Sequence, residues 1–387
     1  MDKVSMVGGR MIGRGNYGCI FDPPLLCRGD KAPKGEMKKG KLGKLTAMTD
    51  IKSEFLAATR FRNKPEARKY FILPEIQTLC KEGIHGEPSI NIDSQKEPDL
   101  GKCNDIIKEE GIENMLHYQI EYGGKTLNDK MENIQLAVKE FPFFKFMGNM
   151  LEIGAYLLLN GLVHNDLHSA NILLNKEYYP RLIDFGRCYA ANEITKDVLD
   201  NLAADYRPSG GPENVELGQI TPECSTQDGL SQGYAFEIIV EDLYNKKPGL
   251  LYAERLFGQS RQQQLNEFQS FWKTSKCVNQ KDFVKFWNLY WPTVDAWAIG
   301  HCLASILKKF SMSNTFMTAP AWKKKFSIIK TVITGLLRAS PRNRIDCVEA
   351  LAIYDPMNTV VLSPSGKAWL MKKQARKDGL IAKARTI

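Results

Sequence analysis

Candidate chemistry is concentrated between positions 162 and 186, which read LVHNDLHSANILLNKEYYPRLIDFG. Asp166 is followed five positions later by Asn171, and Asp184 comes after a short strand, a turn and a second strand. This order predicts that three oxygen-bearing side chains meet in one cleft. Carboxylate and amide oxygens suit a hard divalent cation held on a nucleoside triphosphate. The alternative interpretation is an ordinary loop rich in polar residues.

A second pattern lies near the N-terminus, where Gly13, Gly15 and Gly18 form G-x-G-x-x-G between apolar residues. Glycine allows the backbone to turn sharply and to approach phosphate groups closely. In a dinucleotide-binding turn, a helix would begin at these glycines. Here they precede Cys-Ile-Phe, a β-type sequence, and then Pro23 and Pro24, which would break a helix. The pattern therefore favours a β-hairpin, and together with the motifs at 162–186 it predicts that this hairpin covers the phosphates of ATP.

These motifs, taken together, resemble those of the protein kinase superfamily. Residues 164–171 match H-x-D-L-x-x-x-N and residues 184–186 match D-F-G. Two later motifs agree, because Asp295 begins D-x-W-x-x-G and Arg344 ends P-x-x-R. The resemblance covers roughly residues 8–355 and is strongest to serine/threonine kinases of large nucleocytoplasmic DNA viruses. It implies an α+β, bilobal, protein-kinase-like fold with a small β-rich N-lobe and a larger α-helical C-lobe.

The resemblance implies a role for each of these polar residues. Asp166 would orient the acceptor hydroxyl and take its proton, while Asn171 and Asp184 would hold Mg²⁺, or Mn²⁺, on ATP. Asp295 would brace the backbone of the catalytic loop, and Arg344 would pair with the glutamate of an A-P-E motif. The two candidates for that glutamate are Glu213 and Glu223.

The lysine that binds the nucleotide is expected after residues 22–41, a loop rich in Pro, Gly and Lys. Lys44 sits like the last residue of V-A-I-K. A helix predicted over 49–62 carries Glu54, whose ion pair with Lys44 would aim the lysine at the α- and β-phosphates. Glu54 could instead pair with Arg60 or face solvent. The competing lysines are Lys31, Lys34, Lys38, Lys39 and Lys41.

The remaining nucleotide contacts follow from the same resemblance. Residues 116–122 alternate like a strand that runs into two glycines. The end of this strand resembles the kinase hinge that recognises adenine, with Glu121 and Tyr122 in the hinge and Ile120 behind the nucleotide. The residues flanking the glycines that complete the predicted nucleotide-binding set are Ile12 and Ile20.

Three features of the catalytic loop depart from, or compete with, this assignment. Asn165 replaces the arginine that gathers a phosphorylated activation loop, so activity is expected not to depend on phosphorylation through that contact. His168 replaces the lysine that serine/threonine kinases place on the γ-phosphate, and Asp-Leu-His also occurs in small-molecule phosphotransferases. His164 and His168 are spaced like a metal pair, but they lack the helical context that such a pair needs.

The elements that must position these residues fall into three predicted regions. They are an N-lobe at 1–124 with an insertion at 81–113, a C-lobe at 125–355 with a long insertion at about 224–290, and a basic tail at 356–387. A helix is predicted from Lys125 to Asn160, with Gly161 as its cap. The long insertion is expected to add core, and a docking surface is the alternative.

The composition is that of an ordinary globular protein, since 43% of the 387 residues are hydrophobic and 25% are charged. The net charge of +9 decides nothing alone. No apolar run approaches the roughly 18 residues of a membrane span, and no signal-peptide core is present. Nine scattered cysteines without a C-x-x-C pair predict free thiols in a reducing compartment. We therefore expect an intracellular, cytoplasmic protein, in host cytoplasm and the virion if it is viral.

Three functions are compatible with these motifs. A serine/threonine protein kinase is favoured, because Asp295 and Arg344 follow late in the chain and small-molecule phosphotransferases lack those motifs. A small-molecule or sugar kinase is the first alternative, and a pseudokinase scaffold is the second. The expected partner is a protein substrate carrying Ser or Thr. The basic tail could meet an acidic partner or pack as a solvated helix, and no specific nucleic acid is predicted.

Overall fold

A computed structural model of the chain divides into two compact units. The first unit is Met1–Gly124 with Arg181–Cys188, and the second is Lys125–Pro180 with Tyr189–Ile387. The predicted limits of the lobes and of the tail stay predictions. The structure describes residues 9–14, 18–29, 40–80, 90, 103–132, 139–199, 248–280 and 282–385.

The first unit contains a four-stranded antiparallel sheet whose strands follow the order of the chain. The strands are β1 (Arg10–Arg14), β2 (Gly18–Asp22), β3 (Lys41–Ala47) and β4 (Met115–Glu121). A strand, and not a helix, follows the glycines. The predicted hairpin is therefore confirmed and the dinucleotide turn is excluded. The strand expected at 116–122 is also confirmed, displaced by one residue.

Two helices of the first unit accompany this sheet. Helix α1 (Met48–Arg60) follows β3 directly and turns Glu54, Ala57 and Ala58 into the interior. Helix α2 (Asn104–Glu110) lies inside the predicted insertion at 81–113, so that this part of the insertion is helical. Residues 81–89 and 91–102 of the insertion lie outside the described residues.

Among the described residues, the first unit contains two disulfides, and one of them joins the sheet to the predicted insertion. Cys19 of β2 is bonded to Cys103 across 84 residues, and Cys27 is bonded to Cys80 across 53 residues. The prediction of free thiols is wrong for these four cysteines, because their partners are remote in sequence and meet only in the folded core. The expectation of a reducing compartment loses this support. The buried cysteines that are not in a disulfide are, among the described residues, Cys188, Cys277, Cys302 and Cys347. Cys224 lies outside the described residues.

The second unit is mostly helical. Its strands are β5 (Lys125–Thr126), β6 (Leu162–Val163), β7 (Ile172–Leu174), Pro180 of β8 (Pro180–Leu182) and β9 (Tyr189–Ala190). Its helices are α3 (Leu127–Met131), α4 (Phe143–Leu159), α5 (Pro248–Phe257), α6 (Arg261–Thr274), α7 (Lys276–Asn279), α8 (Phe283–Tyr290), α9 (Val294–Phe310), α10 (Asn314–Thr318), α11 (Pro320–Leu336), α12 (Cys347–Tyr354), α13 (Thr359–Leu362) and α14 (Pro364–Arg385). None of the helices in the described parts of the chain is long and apolar enough to cross a membrane.

Helix α4 is the centre of the second unit and packs against α9 and α12. The prediction of one helix from Lys125 to Asn160 is wrong at its start and in its continuity, because the non-helical residues Phe141 and Pro142 precede α4. Lys125 and Thr126 pair with β7 as a strand, and Thr126 caps α3 by accepting the N–H of Asp129 at 3.1 Å. The predicted cap at the other end is confirmed, because Gly161 has φ of 61° directly after the helix.

The described part of the long insertion, residues 248–280 and 282–290, adds core to the second unit. Leu250 of α5 and Phe268 and Phe271 of α6 are all buried. This agrees with the expectation that the insertion extends the core. Residues 224–247 lie outside the described residues.

The C-terminal helix α14 is held at the start of α12 by a hydrogen bond and by ion pairs. Trp369 donates its Nε1–H to Oδ2 of Asp346 at 2.9 Å, and Lys373 Nζ lies 2.8 Å from the same oxygen. Lys373 also lies 3.2 Å from Oε2 of Glu349. This part of the basic tail therefore packs on the second unit through its own ion pairs.

Candidate active site

Lys44 of β3 lies between two carboxylates of the first unit. Its ammonium pairs with Glu54 of α1, and its Nζ lies 3.0 Å from Oδ1 of Asp184. The predicted ion pair between Lys44 and Glu54 is therefore present. The rival Lys41 pairs with Glu75 instead. The other rivals, Lys31, Lys34, Lys38 and Lys39, lie outside the described residues.

The two carboxylates keep Lys44 protonated although it is enclosed by protein. Burial is the largest influence and lowers the pKa of Lys44, but the charges of Asp184 and Glu54 outweigh it and raise the pKa above that of an exposed lysine. Only 12% of the lysine side chain and 4% of the Glu54 side chain are exposed. The first unit thus presents a fixed positive charge, which is what phosphate oxygens require.

Glu54 is held from a second side by Tyr118 of β4. The antiparallel register sets Tyr118 directly opposite Lys44, so that both side chains reach the same carboxylate. The Tyr118 hydroxyl donates to Oε2 of Glu54, whereas Lys44 takes Oε1. Tyr118 was not among the residues predicted from the sequence. Its signal was the period of two in β4, which puts Tyr118 on the same face as Ile120.

Asp184 is fixed by the residues that follow it. Its φ is 64°, in the left-handed region that residues other than glycine rarely adopt. Phe185 is buried and meets the ring of Phe71 edge-on, with 5.5 Å between centroids. Cys188 donates its Sγ–H to the carbonyl oxygen of Ser53 in α1 at 2.9 Å. These contacts hold the segment against α1 while a third of the Asp184 side chain, 33%, stays exposed.

The glycine-rich hairpin places Gly13 opposite Ile20 in the register of β1 and β2. At Gly18 a Cβ would lie 2.4 Å from a backbone carbonyl oxygen of β3, so only glycine fits there. Ile12 is 52% exposed although it is apolar. Gly15 lies outside the described residues. The contacts of this hairpin with a nucleotide stay predictions.

The end of β4 is tied to its surroundings by two contacts. Arg181 donates through Nη1 to Oε1 of Glu121 at 2.9 Å, and the N–H of Tyr122 donates to the carbonyl oxygen of Gly40 at 2.9 Å. The Tyr122 side chain is 52% exposed. Recognition of adenine by Glu121 and Tyr122 stays a prediction.

In the second unit, Asp295 of α9 fixes the loop that carries Asp166. Oδ2 of Asp295 accepts the N–H of His164 at 2.8 Å, and Oδ1 accepts the N–H of Asn165 at 3.0 Å. The predicted bracing of this loop is therefore confirmed. Burial raises the pKa of Asp295, and His164 together with the two backbone N–H groups opposes that shift. Asn165 is buried with φ of 61°, a conformation that asparagine tolerates better than most residues.

Asp166 and Asn171 are in direct contact. Nδ2 of Asn171 donates to the carbonyl oxygen of Asp166 at 2.9 Å and lies 3.2 Å from its Oδ2. The N–H of Asp166 donates to Nδ1 of His164 at 3.3 Å. Because the nitrogen of the Asn171 amide is used in this way, its oxygen is the atom left to bind a cation.

His168 borders Asp166 on another side. Its Nε2 lies 3.8 Å from Oδ2 of Asp166, and its Nδ1 accepts the N–H of Ala170 at 3.3 Å. In the neutral ring this bond assigns the proton to Nε2, which faces Asp166. His164 and His168 both use Nδ1 to accept a backbone N–H, and neither belongs to a metal-ligand cluster among the described residues.

The donor atoms of Asn171 and Asp184 suit a hard cation. An amide oxygen and a partly exposed carboxylate are ligands that Mg²⁺ and Mn²⁺ take. Among the described residues, the cluster with metal-ligand spacing is instead Cys27, Cys80 and His117, but a disulfide joins its two sulfurs. Cation binding by Asn171 and Asp184 stays a prediction.

Comparison with curated proteins finds segments of protein kinases. The chain is 33% identical over 95 residues to a protein kinase and PP2C-like domain-containing protein of Oryza sativa subsp. japonica, which covers 23% of this chain and 14% of that protein. It is 31% identical over 123 residues to MAP3K epsilon protein kinase 2 of Arabidopsis thaliana, which covers 30% of this chain and 8% of that protein. The chain thus spans 14% or less of the length of these relatives. No protein-family model matches the chain.

Comparison with solved structures also finds kinase domains. The ROP18 kinase domain in complex with AMP-PNP and sucrose matches 94% of this chain and 81% of that chain, at 14% identity and a TM-score of 0.45. The Toxoplasma gondii specific rhoptry antigen kinase domain matches 95% of this chain and 81% of that chain, at 11% identity and a TM-score of 0.42. Sequence identities and TM-scores this low assign neither a ligand nor an activity to this chain.

The predicted α+β, kinase-like fold is confirmed, with a β-rich first unit and a mostly helical second unit. The curated relatives named above are plant proteins. The resemblance to kinases of large DNA viruses therefore stays a prediction.

Proposed function

We propose that the chain is an ATP-dependent protein kinase that transfers the γ-phosphate of ATP to a Ser or Thr hydroxyl. The observation that carries this proposal is the ion-paired triad of Lys44, Glu54 and Asp184 in the first unit. A lysine oriented by a helix glutamate, next to a carboxylate on a constrained turn, supplies the groups that phosphoryl transfer requires. The braced loop with Asp166 in the second unit supports the same reaction.

In this proposal the first unit holds the nucleotide. Lys44 binds the α- and β-phosphates, and Glu54 orients the lysine. Glycine in the hairpin lets the backbone approach the phosphates closely. The residues of this hairpin and of the hinge that complete the proposed ATP site are Ile12, Gly13, Gly15, Gly18, Ile20, Glu121 and Tyr122.

Asn171 and Asp184 are proposed to hold the metal ion. When bound, Mg²⁺ would offset the charge that develops on the transferring phosphoryl group. Asn171 can offer its amide oxygen because its nitrogen donates to Asp166. Asp184 is turned toward the nucleotide lysine, which approaches its Oδ1.

Asp166 is proposed to position the acceptor hydroxyl and accept its proton. The contacts with His164 and Asn171 fix its backbone and its carboxylate, which lowers the cost of reaching a reactive geometry. His168 stands two positions after Asp166, where serine/threonine kinases place a γ-phosphate lysine, and its Nε2 lies 3.8 Å from Oδ2 of Asp166. The neutral Asn165 supports activity that does not depend on a phosphorylated activation loop through that position. The pairing of Arg344 with Glu213 or Glu223 lies outside the described residues and stays a prediction.

A small-molecule or sugar kinase is the second candidate. The observation that favours it is His168 beside Asp166, in the Asp-Leu-His order shared with small-molecule phosphotransferases. A pseudokinase scaffold is a weaker candidate, because Lys44 keeps its ion pair and Asp166 keeps its contact with Asn171.

The partners and location also remain proposals. A protein substrate follows from the proposed activity, and a host-cytoplasm or virion location follows from the viral resemblance alone. The structure makes an acidic partner for the basic tail less favoured, because one of the basic residues of the tail is already paired. Lys373 already faces Asp346 and Glu349 of the second unit.

The test is transfer of label from γ-labelled ATP, with Mg²⁺ or Mn²⁺, to a panel of proteins, aminoglycosides and sugars. The proposal expects label on Ser or Thr of protein and none on the small molecules. Label on a sugar or aminoglycoside alone would establish the second candidate. Nucleotide binding without transfer to any acceptor would indicate the scaffold.

A further inference from the structure

A cavity of about 140 Å³ lies within the second unit, beside the catalytic loop. Leu127 and Met131 of α3 line one side of it, and α9 lines another. His168 and Ser169 form the wall that belongs to the catalytic loop. The described residues that line it all belong to the second unit, whereas the triad around Lys44 belongs to the first.

One stripe of α9 gives the cavity its chemistry. His301, Ser305 and Lys309 recur every four residues, which places them on one face of the helix. Each can donate a hydrogen bond into the cavity. The helix therefore presents an ammonium, an imidazole and a hydroxyl to the same space.

The cavity is cationic. Lys309 supplies a charge, His168 and His301 supply imidazoles, and among the described residues the lining contains no carboxylate. Lys308 adds a second ammonium nearby, with its Nζ 5.0 Å from the ring centroid of the lining residue Tyr252. A group with negative charge is thus the complement of this lining.

Size limits what can occupy the cavity. Small-molecule sites usually measure roughly 300–1,000 Å³. The cavity of about 140 Å³ is smaller than the lower end of that range. A carboxylate or phosphate group at the end of a side chain therefore suits it better than a whole nucleotide.

The position of the cavity relates it to the acceptor. His168 lines the cavity, and its Nε2 lies 3.8 Å from Oδ2 of Asp166, the proposed base. An extended peptide advances about 3.3 Å per residue. A side chain in the cavity and a hydroxyl at Asp166 can therefore belong to the same short stretch of substrate.

We propose that this cavity is a substrate subsite that receives an acidic side chain, a carboxylate or a phosphate, close in sequence to the phosphorylated residue. Lys309 and His301 bind the anionic group, and His168 lies between that group and the acceptor. This proposal rests on the protein-kinase function proposed above. It assigns to the enzyme a preference for acidic or already phosphorylated substrates.

The test is a peptide series with one Ser acceptor, in which Glu, phosphoserine, Lys or Ala is placed in turn at each flanking position. We expect kcat/KM to rise by about tenfold over Ala when an acidic group stands at one preferred position. The Glu and phosphoserine arms show which anion the cavity takes. Either preference, at one position, supports the subsite.

Two variants assign the preference to the cavity. Lys309→Gln should bring the ratio of kcat/KM for acidic and Ala peptides toward one, and Lys309→Glu should reverse it in favour of Lys peptides. The matched control is Lys330→Gln on the exposed face of α11, which should leave the ratio unchanged. Because a ratio is measured within each variant, partial loss of folded enzyme does not alter it.

The outcomes separate this proposal from the proposed function. Transfer to all peptides without an acidic preference, or a preference that survives Lys309→Glu, would overturn the subsite and leave the kinase function standing. Transfer to no peptide, with transfer to a small molecule instead, would remove both.

Discussion

Tyr118 donates its hydroxyl to the oxygen of the Glu54 carboxylate that Lys44 does not take. Both Tyr118 and Glu54 are buried, so this hydrogen bond is shielded from water. Glu54 is thereby held from two strands of the sheet, by Lys44 on β3 and Tyr118 on β4. The consequence is that α1 is fixed in the arrangement in which Glu54 orients the lysine.

Removing this hydroxyl should weaken the orientation of Lys44 without removing any group from the nucleotide site. We expect Tyr118→Phe to lower kcat/KM for ATP by about tenfold, since a buried hydrogen bond to a charged group contributes roughly 1.5–3 kcal/mol. Steady-state kinetics over ATP concentration would measure this. The matched control is Tyr178→Phe, which removes an exposed hydroxyl–carboxylate contact with Glu140 and should leave kcat/KM unchanged. Equal activity of Tyr118→Phe and wild type would contradict the positioning role.

Asp295 should act through the catalytic loop and not through the nucleotide. In Asp295→Asn, one amide oxygen can still accept an N–H, but the amide nitrogen faces the other N–H and cannot accept it. We expect kcat to fall about tenfold or more, by the loss of roughly 1.5–3 kcal/mol, while KM for ATP changes little. The matched control is Asp282→Asn. Asp282 caps the start of α8 by accepting the N–H of Lys285, and asparagine caps a helix equally well, so kcat should not change. A rise in KM for ATP with kcat unchanged would contradict the assignment.

His117 should make the stability of the protein depend on acid. Burial lowers the pKa of His117 to about 4, from an ordinary value of 6.5, so the folded state holds the ring neutral. Its contribution to stability is complete above pH 6.5 and is lost as the pH falls toward 4, because the unfolded chain takes up the proton first.

We therefore expect the free energy of unfolding to fall by about 2 kcal/mol between neutral pH and pH 5 on account of this ring. Urea unfolding of wild type and His117→Asn, measured at both pH values, isolates the effect from other titrating groups. Between neutral pH and pH 5, the free energy of unfolding of wild type should fall by about 2 kcal/mol more than that of the variant. The same loss in both proteins would show that His117 is not held neutral.

The two disulfides should stabilise the first unit under oxidising conditions. Cys19→Ala with Cys103→Ala opens a loop closed across 84 residues and should lower the free energy of unfolding by roughly 2–5 kcal/mol. Urea unfolding with and without reductant provides the control, because reductant should bring wild type down toward the variant. Wild type that is insensitive to reductant would mean that these cysteines are not bonded in solution.

The parts of the site that the sequence could predict are those specified by short-range patterns. Asp166 and Asn171 are five positions apart on one loop, and their contact is local. The Lys44–Glu54 pair could also be predicted, because a strand and the helix directly after it bring residues ten positions apart together. The contact of Asp295 with the loop is remote, and it was predictable only from the resemblance to kinases.

The parts that could not be predicted depend on register or on distant closure. Tyr118 reaches Glu54 only because β3 and β4 pair with Lys44 opposite Tyr118, and no local pattern specifies that register. The disulfides join cysteines 53 and 84 residues apart. The predicted helix does not begin at Lys125, because Lys125 and Thr126 pair with β7 as a strand. The capping box at Thr126 starts helix α3 only after them.

The central claim is that Asp166, Asn171 and Asp184 serve one phosphoryl transfer. Its most direct test is single-turnover transfer from γ-labelled ATP by Asp166→Ala, Asp184→Ala and the double variant, each checked for native secondary structure. The account predicts that the rate of transfer falls by a factor of about 10²–10⁴ in each single variant. The double variant should be little slower than the less active of the two single variants, because the effects of groups that act in one step are not additive. Near-wild-type transfer by either single variant, or losses that multiply in the double variant, would contradict it.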